Sequence, residues 1–289
     1  SPRAIVDLIG FGDCVEFVET DSTGRRSEPT TLVANTVIMD NDSLVYASGR
    51  VVITRTDVVA RGDSAFMDSG REYARLMKGP QIEGKGDDPF TLTGRLVELY
   101  GSQRTLSRVL SSGEARAVSR DVTLTSDTLD LRLTDSEMDR VFAWGPSRAR
   151  AVSPEYDIIA DSLDVRMPGQ RVREVFAVRN AFAQSTPDST RVRSTEKDWL
   201  RGDTIVARFD TIAAPQDTTR RPRIRDLVAN GNARSFYQVA TREGRNSAPA
   251  INYVRGRVIT VTFQDQEVGQ VSITEQAAGV YLEAPAAAA

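Results

Sequence analysis

Leu129, Leu131 and Leu133 alternate with Thr128, Asp130 and Arg132, the period of two that marks a strand with one buried face and one wet face. The run starts at Leu124. Beyond a polar turn from Thr134 to Glu137, a second apolar segment, Val141-Phe142-Ala143-Trp144, ends at Gly145. The pattern predicts a hairpin-like unit of about 32 residues whose second strand is the shorter one.

The unit recurs along the chain, and a repeat of this length decides the fold before any single element does. With Ser126 as anchor, the equivalent positions are Ala34, Gly62, Gly94, Ala160, Gly202 and Gly256, at spacings of 28, 32, 32, 34, 42 and 54 residues. Two places before each anchor stands an apolar residue: Leu32, Ala60, Leu92, Leu124, Ile158, Leu200, Val254. Three places after it come Val37, Ala65, Val97, Leu129, Leu163, Ile205 and Ile259; five places after it, Met39, Met67, Leu99, Leu131, Val165, Ala207 and Val261. Residues at −2, +3 and +5 cannot share one face of a flat strand, because odd and even positions point to opposite sides. The chain therefore has to change phase at the anchor, where a small residue fits a bend or bulge that keeps the apolar residues inward.

A second column has the form Val-apolar-Ala-x-Gly, as in Val45-Tyr46-Ala47 before Gly49 and Val141-Phe142-Ala143 before Gly145. It recurs at Gly113, Arg179 and Gly231, with Gly79 as a poorly matching member. Two places after it come Val51, Ala115, Ser147, Ala181 and Ala233. Helical periodicity is nearly absent; the best candidate, Gly70 to Met77, falls where a hairpin is expected. The fold class is thus all-β, a folded-over sheet or sandwich of about seven hairpin units.

Polar inserts lengthen the later units at 184–198, 211–223 and 242–249, and are expected on loops outside the stacked core. Residues 1–31 read as short strands closing the first end, residues 32–283 as the repeat domain, and 284–289 as an alanine- and proline-rich tail. A chain of 289 residues with 37 basic and 40 acidic side chains has the composition of a globular protein and gives no nucleic-acid signal. No apolar run approaches the length of a membrane helix, and a chain that starts at Ser1 is compatible with a leader already removed.

The chemistry is sparse. The absence of histidine removes Ser-His-Asp and Cys-His pairs and histidine zinc sites, and the single Cys14 removes thiolate clusters. Asp63, Asp127, Asp161 and Asp203 follow their anchors and would stack in a column. They are read either as a calcium or carboxylate ladder or as corner residues accepting backbone N–H groups, and the second reading is preferred because Arg95 and Arg257 occupy the same column. Trp144 and Trp199 are read either as lipid- or sugar-facing aromatics or, in preference, as rim or core packing, and Arg220, Arg221, Arg223 and Arg225 as either a phosphate site or a solvated loop. No metal, cofactor or catalytic residue is assigned, and no enzymatic activity is expected.

The recurring Leu-x-Gly/Ser-Asp-Ser/Thr-Leu/Ile followed by Val-x-Ala-x-Gly-x-Ala, clearest in Ala47-Ser-Gly49-Arg-Val51-Val-Ile53, resembles the LptA/OstA family of lipopolysaccharide-transport proteins. The closing segment from Asn252 to Val261, with Gly279-Val-Tyr-Leu-Glu, is similar to the last unit of OstA-like chains. The resemblance implies an elongated β-jellyroll, a β-taco of two antiparallel sheets around an apolar groove. It further implies a periplasmic location, lipopolysaccharide as ligand through its lipid A acyl chains, and docking to other Lpt-type β-jellyroll proteins or to itself through edge strands. The groove positions are then Leu129, Leu131, Leu133, Leu163, Val165, Met167, Ile205, Phe209, Ile259 and Phe263, of which the later +5 and +7 residues lie nearest the mouth. A carbohydrate-active parallel β-helix enzyme and a ligand-free surface scaffold are the alternatives, distinguished by whether the interior is an open apolar groove or a filled coil.

Overall fold

The computed structural model describes residues 5–7, 14–18, 30–40, 43–85, 89–102, 105–120, 122–135, 137–187, 192, 194–210, 223–240, 248–264 and 267–283. Of the sequence expectations, most of the 211–223 and 242–249 inserts, the tail and the side chain of Cys14 lie outside the described residues. The class is all-β: twenty strands and two single 3-10 turns. The weak helix candidate resolves into one of those turns, Ser69–Arg71, followed by a strand.

The chain divides into two compact units, residues 1–139 and 140–289. The first holds β1 (Ile5–Asp7), β2 (Cys14–Val18), β3 (Thr30–Val33), β4 (Thr36–Asp40), β5 (Leu44–Thr54), β6 (Val58–Asp68), β7 (Tyr73–Met77), β8 (Gln81–Gly84), β9 (Phe90–Thr93), β10 (Leu96–Ser102), β11 (Thr105–Val118) and β12 (Thr123–Thr134). The second holds nearly all of β13 (Glu137–Val152), then β14 (Tyr156–Arg166), β15 (Glu174–Ser185), β16 (Asp198–Asp210), β17 (Arg223–Val239), β18 (Ala250–Gln264), β19 (Glu267–Thr274) and β20 (Ala278–Leu282). The strand after the turn at Thr134 is therefore the longer of its pair: it runs on through Gly145 to Val152.

All pairings within each unit are antiparallel, and the long strands each serve two sheets. The first half of β5 pairs with β4 (Val37↔Ala47) and its second half with β3 (Leu32↔Ile53). Strand β6 pairs in the same way with β8 (Ala60↔Ile82) and β7 (Ala65↔Leu76). In the second unit β18 pairs with β19 on one side of its anchor and with β20 on the other. This is the folded-over antiparallel form of a β-jellyroll.

The corner is built as the phase argument requires, but its irregularity lies on the partner strand. Opposite Asp63, between the pairs Ser48↔Ser64 and Val51↔Gly62, β5 carries two residues, Gly49 and Arg50, both with positive φ (77° and 50°). Two residues facing one, the first a left-handed glycine, make a bulge that bends the strand and increases its twist. The same device recurs at Gly113-Glu114, Arg179-Asn180 and Gly231-Asn232. Lys78-Gly79 has it with the glycine second, which shifts the flanks of Gly79 by one place and explains why they match poorly. At Gly145 the loop is longer, since Trp144↔Ser162 is followed by Ala149↔Ala160. The inward residue there is consequently the buried Ala149, and Ser147, the +2 residue by sequence count, is exposed.

Both sides of the phase change reach one interior. The −2 residues are buried in every unit, and so are Ala65, Val97, Leu129, Leu163, Ile205 and Ile259 at +3. The +5 column is buried only from Leu131 onward; Met39 is exposed and Met67 and Leu99 are half-buried. Anchors are small because the inside of the corner is close to the next strand: a Cβ on Gly202 would stand 2.9 Å from the Asn230 carbonyl oxygen, and one on Gly94 would stand 2.3 Å from Ser111 Oγ. Ser111 uses the space left by Gly94 to donate its hydroxyl to the Thr93 carbonyl at 2.9 Å, which satisfies a polar group that has no solvent exposure.

Candidate functional site

The interior apolar wall is the candidate site. Leu129 (0%), Leu131, Leu163, Val165, Ile205 and Ile259 are buried, whereas Leu133, Met167, Phe209 and Phe263 at +7 are half-buried. Of the expected groove residues, the first six offer almost no surface in this state and the last four form the rim. The gradient follows from register: each strand carries its +3 and +5 residues under the opposing sheet, and the +7 residue reaches the end of that cover.

The interior thins towards the terminal strands. In the first unit β4 pairs, among the described residues, only with β5, and its Ile38 (58%) and Met39 are exposed. In the second unit Ile273, Val271 and Val268 of β19 lie opposite Ile259, Val261 and Phe263, yet are only half-buried. Every residue of β20 is exposed, Tyr281 among them. A strand with free backbone groups and apolar side chains is a template for another strand.

The outer face of the +3/+5 sheet is stitched by charge. Asp130, 3% exposed, accepts from Arg108 (2.7 and 3.0 Å) and from Arg132 (2.8 Å). In the second unit Arg140 grips Asp164 with two bonds of 2.7 and 2.6 Å, and Glu174, Arg208, Asp226 and Arg225 extend the row. Arg225 therefore belongs to this ladder, and Arg220 and Arg221 lie outside the described residues. Earlier in the chain aromatic rings take that place: Tyr46, Phe66, Tyr73 and Tyr100 lie at successive centroid distances of 5.1, 6.2 and 5.2 Å. Burial and the bond donated to Glu98 (2.6 Å) push the Tyr73 hydroxyl well above the usual tyrosine range.

The column after the anchors is an exposed row of cross-corner side-chain pairs. Asp63 meets Lys78 (3.6 Å), Asp161 accepts from Asn180 (3.2 Å), Arg95 meets Glu114 (2.5 Å) and Arg257 meets Glu275 (2.8 Å). The partner is in each case a left-handed residue across the corner, opposite in charge to the column residue except for the neutral Asn180. Asp63 and Asp161 thus bond side chains rather than the backbone N–H groups expected of them. Among the described residues no group of three acidic or sulfur ligands could hold a metal.

Of the two tryptophans, Trp144 is exposed (39%), and Trp199 packs in an outer cluster with Phe182, Phe236 and Tyr253 at centroid distances of 6.1 to 6.2 Å. Sequence reasoning missed this cluster and the arginines beside it. The signal lay in the positions just before the anchors, where Arg201 and Arg255 precede Gly202 and Gly256. Nearby, Asp157 is buried, accepts from Arg150 (2.8 and 2.7 Å) and Gln184 (2.8 Å), and is held below the usual carboxylate range chiefly by the Arg150 bonds. Burial pushes Asp198 the other way, opposed by the bonds it accepts from Gln238. The first and last residues of the 184–198 insert are strand residues, and Val192 within it is buried.

No protein-family model and no curated protein matches the chain. Among solved structures it is similar to LptH, the LptA-homologous periplasmic component of the lipopolysaccharide transport device from Pseudomonas aeruginosa. The identity is 16% and the TM-score 0.38, over 43% of this chain and 94% of that one. Among the described residues no helix is long and apolar enough to cross a membrane.

Proposed function

We propose that the chain is a non-catalytic lipid carrier of the lipopolysaccharide-transport kind, acting in the periplasm and holding lipid A acyl chains along the interior wall. The single observation that carries the reading is the apolar column that runs through each unit and ends in half-buried Leu133, Met167, Phe209 and Phe263, with no charged side chain among the +3 and +5 residues. The resemblance of the repeat to LptA/OstA chains supports it. Acyl chains would enter at the +7 rim and reach the buried +3 and +5 residues as the sheets part. That exchange has a small net cost, because hydrocarbon replaces hydrocarbon. The free strands β4, β19 and β20 would join neighbouring β-jellyroll proteins, or a second copy, by strand addition.

Photo-crosslinking side chains placed at Met167 and Phe209, with labelled lipopolysaccharide and a phospholipid control, test the reading. Capture of lipopolysaccharide at both positions, reduced by unlabelled competitor, is expected. A folded protein that captures nothing at either position in membrane-coupled samples would leave the scaffold reading.

A further inference from the structure

The outer face of the other sheet in the second unit carries two parallel stripes that the interior site does not use. Arg201, Arg234 and Arg255 are direct cross-strand partners on β16, β17 and β18. All three are exposed, and among the described residues none has an ion-pair or hydrogen-bond partner. Like charges placed directly opposite destabilise a sheet; the facing pairs Arg108↔Arg132 and Arg140↔Arg166 each share a carboxylate, Asp130 and Asp164, whereas this row shares none. Two residues along each strand, about 7 Å away, lies the second stripe, Trp199, Phe236 and Tyr253 in cross-strand register. It continues onto β20, where Val280 pairs with Tyr253 and Leu282 with Ile251, exposed by 54% and 55%.

We infer that this face docks on a membrane surface rich in anionic lipid. The aromatic and aliphatic stripe would enter the interfacial layer, and the arginine stripe would meet lipid phosphates. The pairing of functions is chemical: guanidinium groups bind phosphate oxygens bidentately, and Trp and Tyr rings favour the boundary between headgroup and acyl chain. An open face with exposed aliphatic side chains suits an extended surface better than a small soluble anion, which would need a concave site. The proposal goes beyond lipid carriage in the interior, since it uses the opposite face of the sheet, and it leaves the backbone edge of β20 free.

The chain has two tryptophans, so Trp144→Phe leaves Trp199 as a reporter inside the stripe. This variant is mixed with vesicles of phosphatidylglycerol and phosphatidylcholine, or of phosphatidylcholine alone, and followed by flotation, by Trp199 emission and by quenching with brominated lipid. Flotation with the anionic vesicles, a blue shift and quenching are expected, weakening as salt rises. Adding Arg201→Gln, Arg234→Gln and Arg255→Gln should reduce partitioning about a hundredfold, at about fivefold per cationic side chain. Val280→Ser with Leu282→Ser, at exposed positions, should also reduce it without loss of the β-type circular dichroism. Equal binding to neutral vesicles, undiminished binding by the triple glutamine variant, or an unquenched Trp199 would overturn the inference. So would a Trp199 response to soluble polyphosphate with none to vesicles.

Discussion

Gly202→Val tests the corner on which the repeat depends. Gly202 is at the anchor of β16 and its φ lies outside the left-handed region, so valine meets no backbone penalty of its own. The penalty is spatial: the new Cβ would stand 2.9 Å from the Asn230 carbonyl oxygen, 3.2 Å from that of Thr204 and 3.3 Å from the Ala229 Cβ. The first two are backbone atoms held by strand pairing, so β17 would have to move. Overpacking of this kind costs about 1–3 kcal/mol, and with two methyl groups beyond the Cβ the upper half of that range applies. Against it stand about 0.4–1 kcal/mol from the restricted unfolded chain and a valine preference for strands of at most about 1 kcal/mol. The expected net loss is about 1–2 kcal/mol. At the equivalent Ala160, which has no exposure, the reverse change Ala160→Gly should also destabilise by about 1–2 kcal/mol, through a lost buried methyl and a freer unfolded chain. Urea unfolding followed by tryptophan fluorescence measures both, because Trp144 and Trp199 lie in the same unit as the two anchors. A Gly202→Val midpoint at or above that of the parent, with unchanged denaturant slope, would refute the reasoning that the anchor is small for want of space.

Three further outcomes are expected. Leu131→Ala, at a buried +5 position, should cost about 3–4 kcal/mol in chemical unfolding, and Leu133→Ala on the half-buried rim nearer 1 kcal/mol; equal losses would mean that the cover does not end at +7. Because the folded-state pKa of Asp157 is depressed, its contribution is present above the unfolded value near 4 and is lost as pH falls through the folded one. Asp157→Asn should therefore lose about 1–2 kcal/mol at pH 7 and progressively less as the pH falls below the unfolded value, read from unfolding curves across that range. Asp198 has the opposite sign: its folded pKa is raised, so the stability it supplies is present below the unfolded value and fades as pH rises through the folded one. A profile for Asp198→Asn that diverges from the parent at acid pH, instead of at neutral pH, would contradict that direction.

Much of this fold was legible in the chain because the strand period and the repeat period reinforce each other. Seven anchors in register turned an ambiguous alternation such as Leu129-Asp-Leu131-Arg-Leu133 into a statement about which residues share an interior. What escaped was chemistry decided between neighbouring strands. The bulge residues have no common type: Gly49, Arg179 and Lys78 all open left-handed pairs, because the partner strand and not the residue imposes the conformation. The two-residue lengthening after Gly145 hid Ala149 behind Ser147, since a count along one strand cannot see that Ala149 faces Ala160.

The outer faces were harder to read for the same reason, and they explain how the two sheets of one unit can carry different surfaces. Arg140, Asp164 and Arg166, or Arg201, Arg234 and Arg255, are far apart in sequence and each looks like an ordinary solvated charge. Only cross-strand register shows that Arg140 faces Arg166 with Asp164 bonded to both, while no carboxylate joins the second row. A carboxylate shared between facing arginines offsets their repulsion, and a row of one sign without one lacks that stabilisation. The interior demands the same apolar residues in every unit, so it repeats. The outer face is free to differ from unit to unit, and it is there, beside Trp199 and the exposed end of β20, that the last units depart from the charge matching kept by Arg140 and Asp164.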